Sequence, residues 1–97
     1  MKVQLTAEAE RDLESIADRI AEDNPQRAIS FIGELRDSCL GLARFPKRFP
    51  PVPRYERHRI RHRVHGNYLI FYRVEVETVI VIHVLHGAMD YGELLEE

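Results

Sequence analysis

The sequence predicts an α+β domain with the element order β-α-α-β-β-β, an antiparallel helical hairpin lying on one face of a mainly antiparallel four-stranded sheet. Three observations carry that prediction. Two helix-period apolar stripes occupy the first 43 residues. A proline-rich stretch follows. Three strand-sized runs then fill positions 57–85 with only short turns between them.

Taken in order, Lys2-Val3-Gln4-Leu5 alternates as a short strand. Thr6 is placed to cap a helix, with Glu8 and Glu10 against its positive end. Ala9, Leu13, Ile16, Ala17 and Ile20 then recur on one helical face. Asn24-Pro25 ends this helix near Asp23 and starts the next, with Pro25 in a first turn. Ala28, Phe31, Ile32, Leu35, Cys39 and Leu42 form the second inner stripe, which Phe45-Pro46 terminates. So short a connection makes the helices antiparallel.

Pro46, Pro50, Pro51 and Pro53 make residues 45–56 a stiff loop and not a linker, because neither flank could fold alone. Residues 57–65 read as a strand with Arg57, Arg59, Arg61, Arg63 and His65 on one face, about 7 Å apart, and His58, Ile60, His62 and Val64 on the other. Gly66-Asn67 signals a hairpin turn. Residues 68–74, apolar apart from Arg73, read as an inner strand, and residues 78–85 as another. Gly87 breaks the last strand, and Tyr91–Glu97 reads as a short acidic helical tail. The expected core packs Leu13, Ile16, Ile20, Phe31, Ile32 and Leu35 against Ile60, Ile70, Tyr72, Ile80 and Ile82.

Length and composition set limits. Ninety-seven residues make a single domain over 1–97 with one modest core and no second. No apolar run approaches the ~20 residues of a membrane span, and no signal peptide is visible after Lys2. One cysteine, Cys39, permits no internal disulfide and fits a reducing, cytoplasmic setting. It reads as a small core residue. His83 and His86, three apart on a strand, point to opposite faces. His58 and His62 share a face about 14 Å apart. No metal site or cofactor is implied.

Charge is the sharper signal. Residues 1–43 carry five Lys/Arg against nine Asp/Glu, residues 44–73 nine against one, and residues 74–97 none against six. The net of −2 therefore hides a basic island between acidic flanks. Nucleic-acid binders are usually basic overall; this pattern suits an acidic protein segment at least as well.

Leu5-Thr-Ala-Glu-Ala-Glu-Arg-Asp-Leu-Glu14, Ile20-Ala-Glu-Asp-Asn-Pro25, Phe45-Pro46, Tyr68-Leu-Ile-Phe-Tyr-Arg-Val74 and Val84-Leu-His-Gly-Ala-Met-Asp90 together resemble the ParE toxins of the RelE/ParE superfamily of bacterial type II toxin–antitoxin systems. The resemblance runs from about residue 3 to residue 95. It implies an intracellular toxin that poisons DNA gyrase and is neutralised by a ParD-like, ribbon-helix-helix antitoxin encoded beside it, the two forming a hetero-oligomer. Two positions depart from the family pattern: Met89 follows His-Gly-Ala where an arginine is usual, and His83 stands where an arginine is frequent.

On this reading Arg57, Arg59, Arg61, Arg63 and Arg73 bind the antitoxin, while His86, Met89 and Tyr91 contact the target. No residue is assigned a catalytic role. The alternative is a RelE-like ribosome-dependent messenger-RNA endoribonuclease, with Arg61 and Arg73 as phosphate clamps and His86 or Tyr91 as acid or base. The acidic final 24 residues, without a lysine or arginine, oppose it. A binding module without toxicity is the third reading.

Overall fold

A computed structural model describes residues 1–96. The elements are β1 (Lys2–Leu5), α1 (Ala7–Ala21), α2 (Pro25–Leu40), β2 (Arg61–His65), β3 (Tyr68–Val74), β4 (Thr78–His86) and a short α3 (Gly92–Leu95). Glu97, the end of the expected acidic tail, lies outside the described residues.

The sheet runs β1-β4-β3-β2. β2, β3 and β4 form the antiparallel meander, and β1 lies parallel to β4 with Leu5 opposite Val81. Thr6 makes the turn from β1 into α1: its Oγ1 accepts from Ala9 N at 3.0 Å and donates to Ile82 O at 2.9 Å. One hydroxyl thus caps the helix and ties it to β4. Asn24 caps α2 by accepting from Arg27 N at 3.0 Å. Gly66 takes the positive φ of 59° that a two-residue hairpin turn needs at its first central position.

The helix-facing core consists of Leu13, Ile16, Leu35, Cys39 and Leu42 against Ile70, Tyr72, Val79, Val81 and Val84, with Ile20, Phe31 and Ile32 at its margin. Ile80 and Ile82 were expected there, and β4 is in the opposite phase. A strand apolar at every position carries no period to fix its face. A bulge on β4, opposite the Phe71–Tyr72 step of β3, sets Phe71 against His83 and Tyr72 against Val81, leaving Ile82 as the extra residue.

The expectation of a single core also fails. Val52, Ile60, Phe71, Leu85 and Leu95 form a second buried cluster on the other face of the sheet, flanked by Tyr55, Leu69, Ile82, Tyr91 and Leu94. The proline-rich loop and the C-terminal segment build it. Gly92 lets the Tyr55 hydroxyl approach closely, since a Cβ there would sit 2.6 Å from it. Leu95 is only 3% exposed. Leu95→Ala is therefore expected to cost about 2–5 kcal/mol in urea unfolding; a loss below about 0.5 kcal/mol, the surface range, would show that the C-terminus is a solvated tail.

Candidate functional site

The arginine row predicted over 57–63 does not exist as a row. Residues Glu56–His58 form a 3-10 turn, and Arg59 ends it in the left-handed region at φ 59°. β2 begins only at Arg61. The preceding Val52 N–H donates to Ile60 O at 2.9 Å and His62 N–H to Pro50 O at 3.1 Å, so the proline loop occupies this end of β2. Arg57 and Arg59 are exposed in the turn.

Arg61 and Arg63 face the helices, since they stand opposite Tyr72 and Ile70 in the sheet. Arg61 Nη1 donates to Phe49 O at 2.7 Å and Lys47 O at 3.2 Å. Arg63 Nη1 donates to Ser38 O at 2.9 Å near the end of α2, and its guanidinium lies 5.0 Å from the Phe49 ring centroid. A guanidinium has five donors and stacks well on aromatic faces. Here those properties satisfy backbone carbonyls that helix and loop leave unpaired. Alternation along the strand correctly put both arginines on one face; it could not say that this face was the inner one.

Arg73 sits on the opposite face of β3, exposed, at the mouth of a groove of about 310 Å³ that it shares with Glu8, His58, Ile82, His83 and Leu94. An inner-strand cation facing an open groove is one of the two situations its charge requires.

His86 and Met89 border another groove, of about 480 Å³, between α1 and the end of the sheet. Ser15, Ile16 and Arg19 of α1 form its far wall and Tyr68 its floor. The Tyr68 and His86 rings meet edge-on at 5.3 Å, and His86 Nδ1 accepts from Ala88 N at 3.1 Å. Tyr91 is not part of this groove. Its ring packs on Phe71 at 4.8 Å in the second core. Arg19 escaped sequence reasoning, although Asp12, Ser15, Ile16 and Arg19 recur at helical spacing and so mark one face of α1.

Asp12 and His83 form the least expected contact. His83, 9% exposed, donates from Nδ1 to Asp12 Oδ2 at 2.8 Å, and Val84 N donates to the same oxygen at 2.9 Å. β1 ends opposite Val81, so β4 would otherwise present an unpaired edge from there on. Asp12 replaces the missing strand. Among the described residues no three His, Cys, Asp or Glu side chains are grouped to hold a metal. Cys39 is fully buried, and desolvation pushes its thiol up to about 11.

A family model described as the ParE toxin of the type II toxin–antitoxin system parDE matches residues 3–91. The chain belongs to the ParE toxin family. The fold is shared with a chain of the chromosomal ParDE toxin–antitoxin system of P. aeruginosa, at TM-score 0.76 and 16% identity over 89% of this chain and 95% of that one. A chain of the RelBE2 toxin–antitoxin complex of Mycobacterium tuberculosis is similar at TM-score 0.65 and 27% identity over 88% and 95%. No curated protein matches in sequence. The ParE assignment makes this chain the toxin component of a type II system.

Two stability tests follow from the site. Asp12→Ala leaves the Val84 amide and the His83 ring without their acceptor, and is expected to cost about 1–3 kcal/mol in chemical unfolding; an unchanged midpoint would mean the β4 edge is held by something else. For Cys39, the folded thiol keeps its proton between 9.0 and about 11 while the unfolded one loses it. Its contribution to stability is therefore constant below pH 9.0 and falls as pH rises toward about 11. The stability gap between wild type and Cys39→Ala should narrow over that window; a gap independent of pH would place the thiol in contact with water.

Proposed function

We propose that this ParE-family chain arrests growth in the bacterial cytoplasm by binding DNA gyrase without catalysing a reaction, and that a ParD-like ribbon-helix-helix antitoxin neutralises it in a hetero-oligomer. The observation that carries the non-catalytic part is the commitment of Arg61 and Tyr91. Phosphoryl chemistry at a ribose needs a cation free to meet the phosphate and a side chain free to move a proton. Arg61 is bonded to two carbonyls of the 44–49 loop, Tyr91 is packed on Phe71, and the two candidates left free, Arg73 and His86, border different grooves.

Antitoxin binding is assigned to the exposed cations Arg57, Arg59 and Arg73, which are free to meet carboxylates of an acidic segment. Arg61 and Arg63 act behind them by holding the surface in shape. The target contact is assigned to the groove of His86 and Met89, completed by Arg19, and no longer includes Tyr91, which belongs to the second core.

One observation favours a second reading. Arg73, His58 and His83 border a single groove, and Asp12 fixes the His83 ring as a carboxylate orients a general base. A ribosome-dependent ribonuclease would use such a set. Supercoiling by purified gyrase separates the two. Added chain should inhibit supercoiling and leave cleaved DNA covalently held by gyrase. Substituting Arg19→Ala together with Met89→Ala should weaken this at least about tenfold, as loss of central contacts does. Active gyrase beside cleaved messenger RNA on ribosomes would establish the ribonuclease instead.

A further inference from the structure

The basic island has a part that the arginine pattern of β2 does not contain. Arg44, Lys47 and Arg48 lie in the loop after α2 and are exposed, and none is in an ion pair among the described residues. With Phe45 and Pro46 they enclose a shallow hollow of about 590 Å³. Phe45 is 64% exposed. An adjoining hollow, of about 310 Å³, brings in Phe49 and Arg63. No carboxylate borders either one. The single acid between residues 44 and 73, Glu56, lies in a different hollow, which Lys47 also borders together with Arg59 and Arg61.

This loop is tied to the body of the protein through its backbone. Three of its carbonyls are claimed from inside the molecule: Pro46 O by the Tyr72 hydroxyl at 2.6 Å, and Lys47 O and Phe49 O by Arg61. The Arg48 amide closes the turn on Phe45 O at 3.0 Å. Arg48 and Arg63 both lie near the Phe49 ring, at 5.6 and 5.0 Å. Backbone groups turned inward leave the side chains of residues 44, 45, 47 and 48 turned outward on a fixed frame. A pre-ordered surface loses little freedom on binding. A phenyl ring left 64% exposed contributes little to folding there, and neighbouring like charges repel one another.

We propose that Arg44, Lys47 and Arg48 around Phe45 form the docking surface for an acidic segment of the neutralising partner, one that places a large apolar side chain against Phe45 between carboxylates. The inference rests on the toxin–antitoxin reading above and adds a site to it. Charge complementarity identifies the occupant. The hollow joins apolar walls, made of Phe45, Pro46 and the methylene stems of the cations, to positive tips. That combination matches an apolar residue flanked by Asp or Glu. A nucleic-acid backbone would also meet the acidic flanks of the chain, which repel it at a distance that a short peptide avoids.

The test uses the full chain, the purified product of the adjacent small gene, and a short single-stranded DNA oligonucleotide as the competing ligand. Arg44→Gln/Lys47→Gln/Arg48→Gln is expected to weaken partner binding at least about tenfold and to flatten its dependence on salt. Phe45→Ala should weaken binding with the salt dependence unchanged. Thermal unfolding verifies the fold, and Arg44→Lys/Arg48→Lys, which keeps the charge, should retain most of the affinity. The proposal is overturned if the folded triple variant binds the partner as wild type does, or if only oligonucleotide binding responds. A wild-type chain that does not bind the adjacent gene product would sink the antitoxin reading itself, which is a separate result.

Discussion

Two guanidiniums facing the wrong way for a binding surface determine the shape of this molecule. Arg61 and Arg63 point from β2 into the angle between the sheet and the end of α2, and donate to Phe49 O, Lys47 O and Ser38 O. Buried or half-buried carbonyls without a donor are expensive. The loop after α2 makes no strand of its own and holds four prolines between residues 46 and 53, so it can supply few amides. Arginine is suited to such a place because it offers several donors in a plane and a flat face for Phe49.

The same economy recurs on the other side of the sheet. β1 is four residues long and leaves the second half of β4 uncovered. Thr6 and Asp12, one turn and a half apart on the chain, take up Ile82 O and the Val84 amide through their side chains. Secondary structure therefore stops early at both sheet flanks, and polar side chains finish the hydrogen bonding. Fixed edges of this kind leave defined grooves beside them, which is where the exposed functional candidates lie.

How much of this could be read in advance depended on the kind of signal. The helical stripes, their caps at Thr6 and Asn24, and the hairpin turn at Gly66 are local properties of the chain, and the helices and β3 fall where their residues place them. Strand faces were harder. The alternation of 57–65 was correct in period from Arg61 onward, but arginine spacing holds no information on which side the helices lie, and His58 lies in a 3-10 turn with Ile60 beyond it and before the strand. β4 was ambiguous because isoleucine and valine occupy both faces. The second core was illegible because it joins residues far apart in sequence, Val52, Ile60, Phe71, Leu85 and Leu95, through a loop with no period. Of the candidate site, His86 and Met89 border one groove with Arg19; Tyr91 lies in the second core, and the basic turn at 44–48 reads in the sequence only as a stiff connection.

The central claim is that the arginines of the basic island divide into two that hold the fold and others that face solvent. Urea unfolding of Arg61→Ala, Arg63→Ala and Arg57→Ala tests it directly. The first two should each lose about 1–3 kcal/mol, as expected where part-buried acceptors are abandoned, and the loss should persist at high salt because the acceptors are neutral carbonyls. Arg57→Ala should stay within about 0.5 kcal/mol of wild type. Equal and small changes for all three would contradict the account, since they would mean a uniform solvated row.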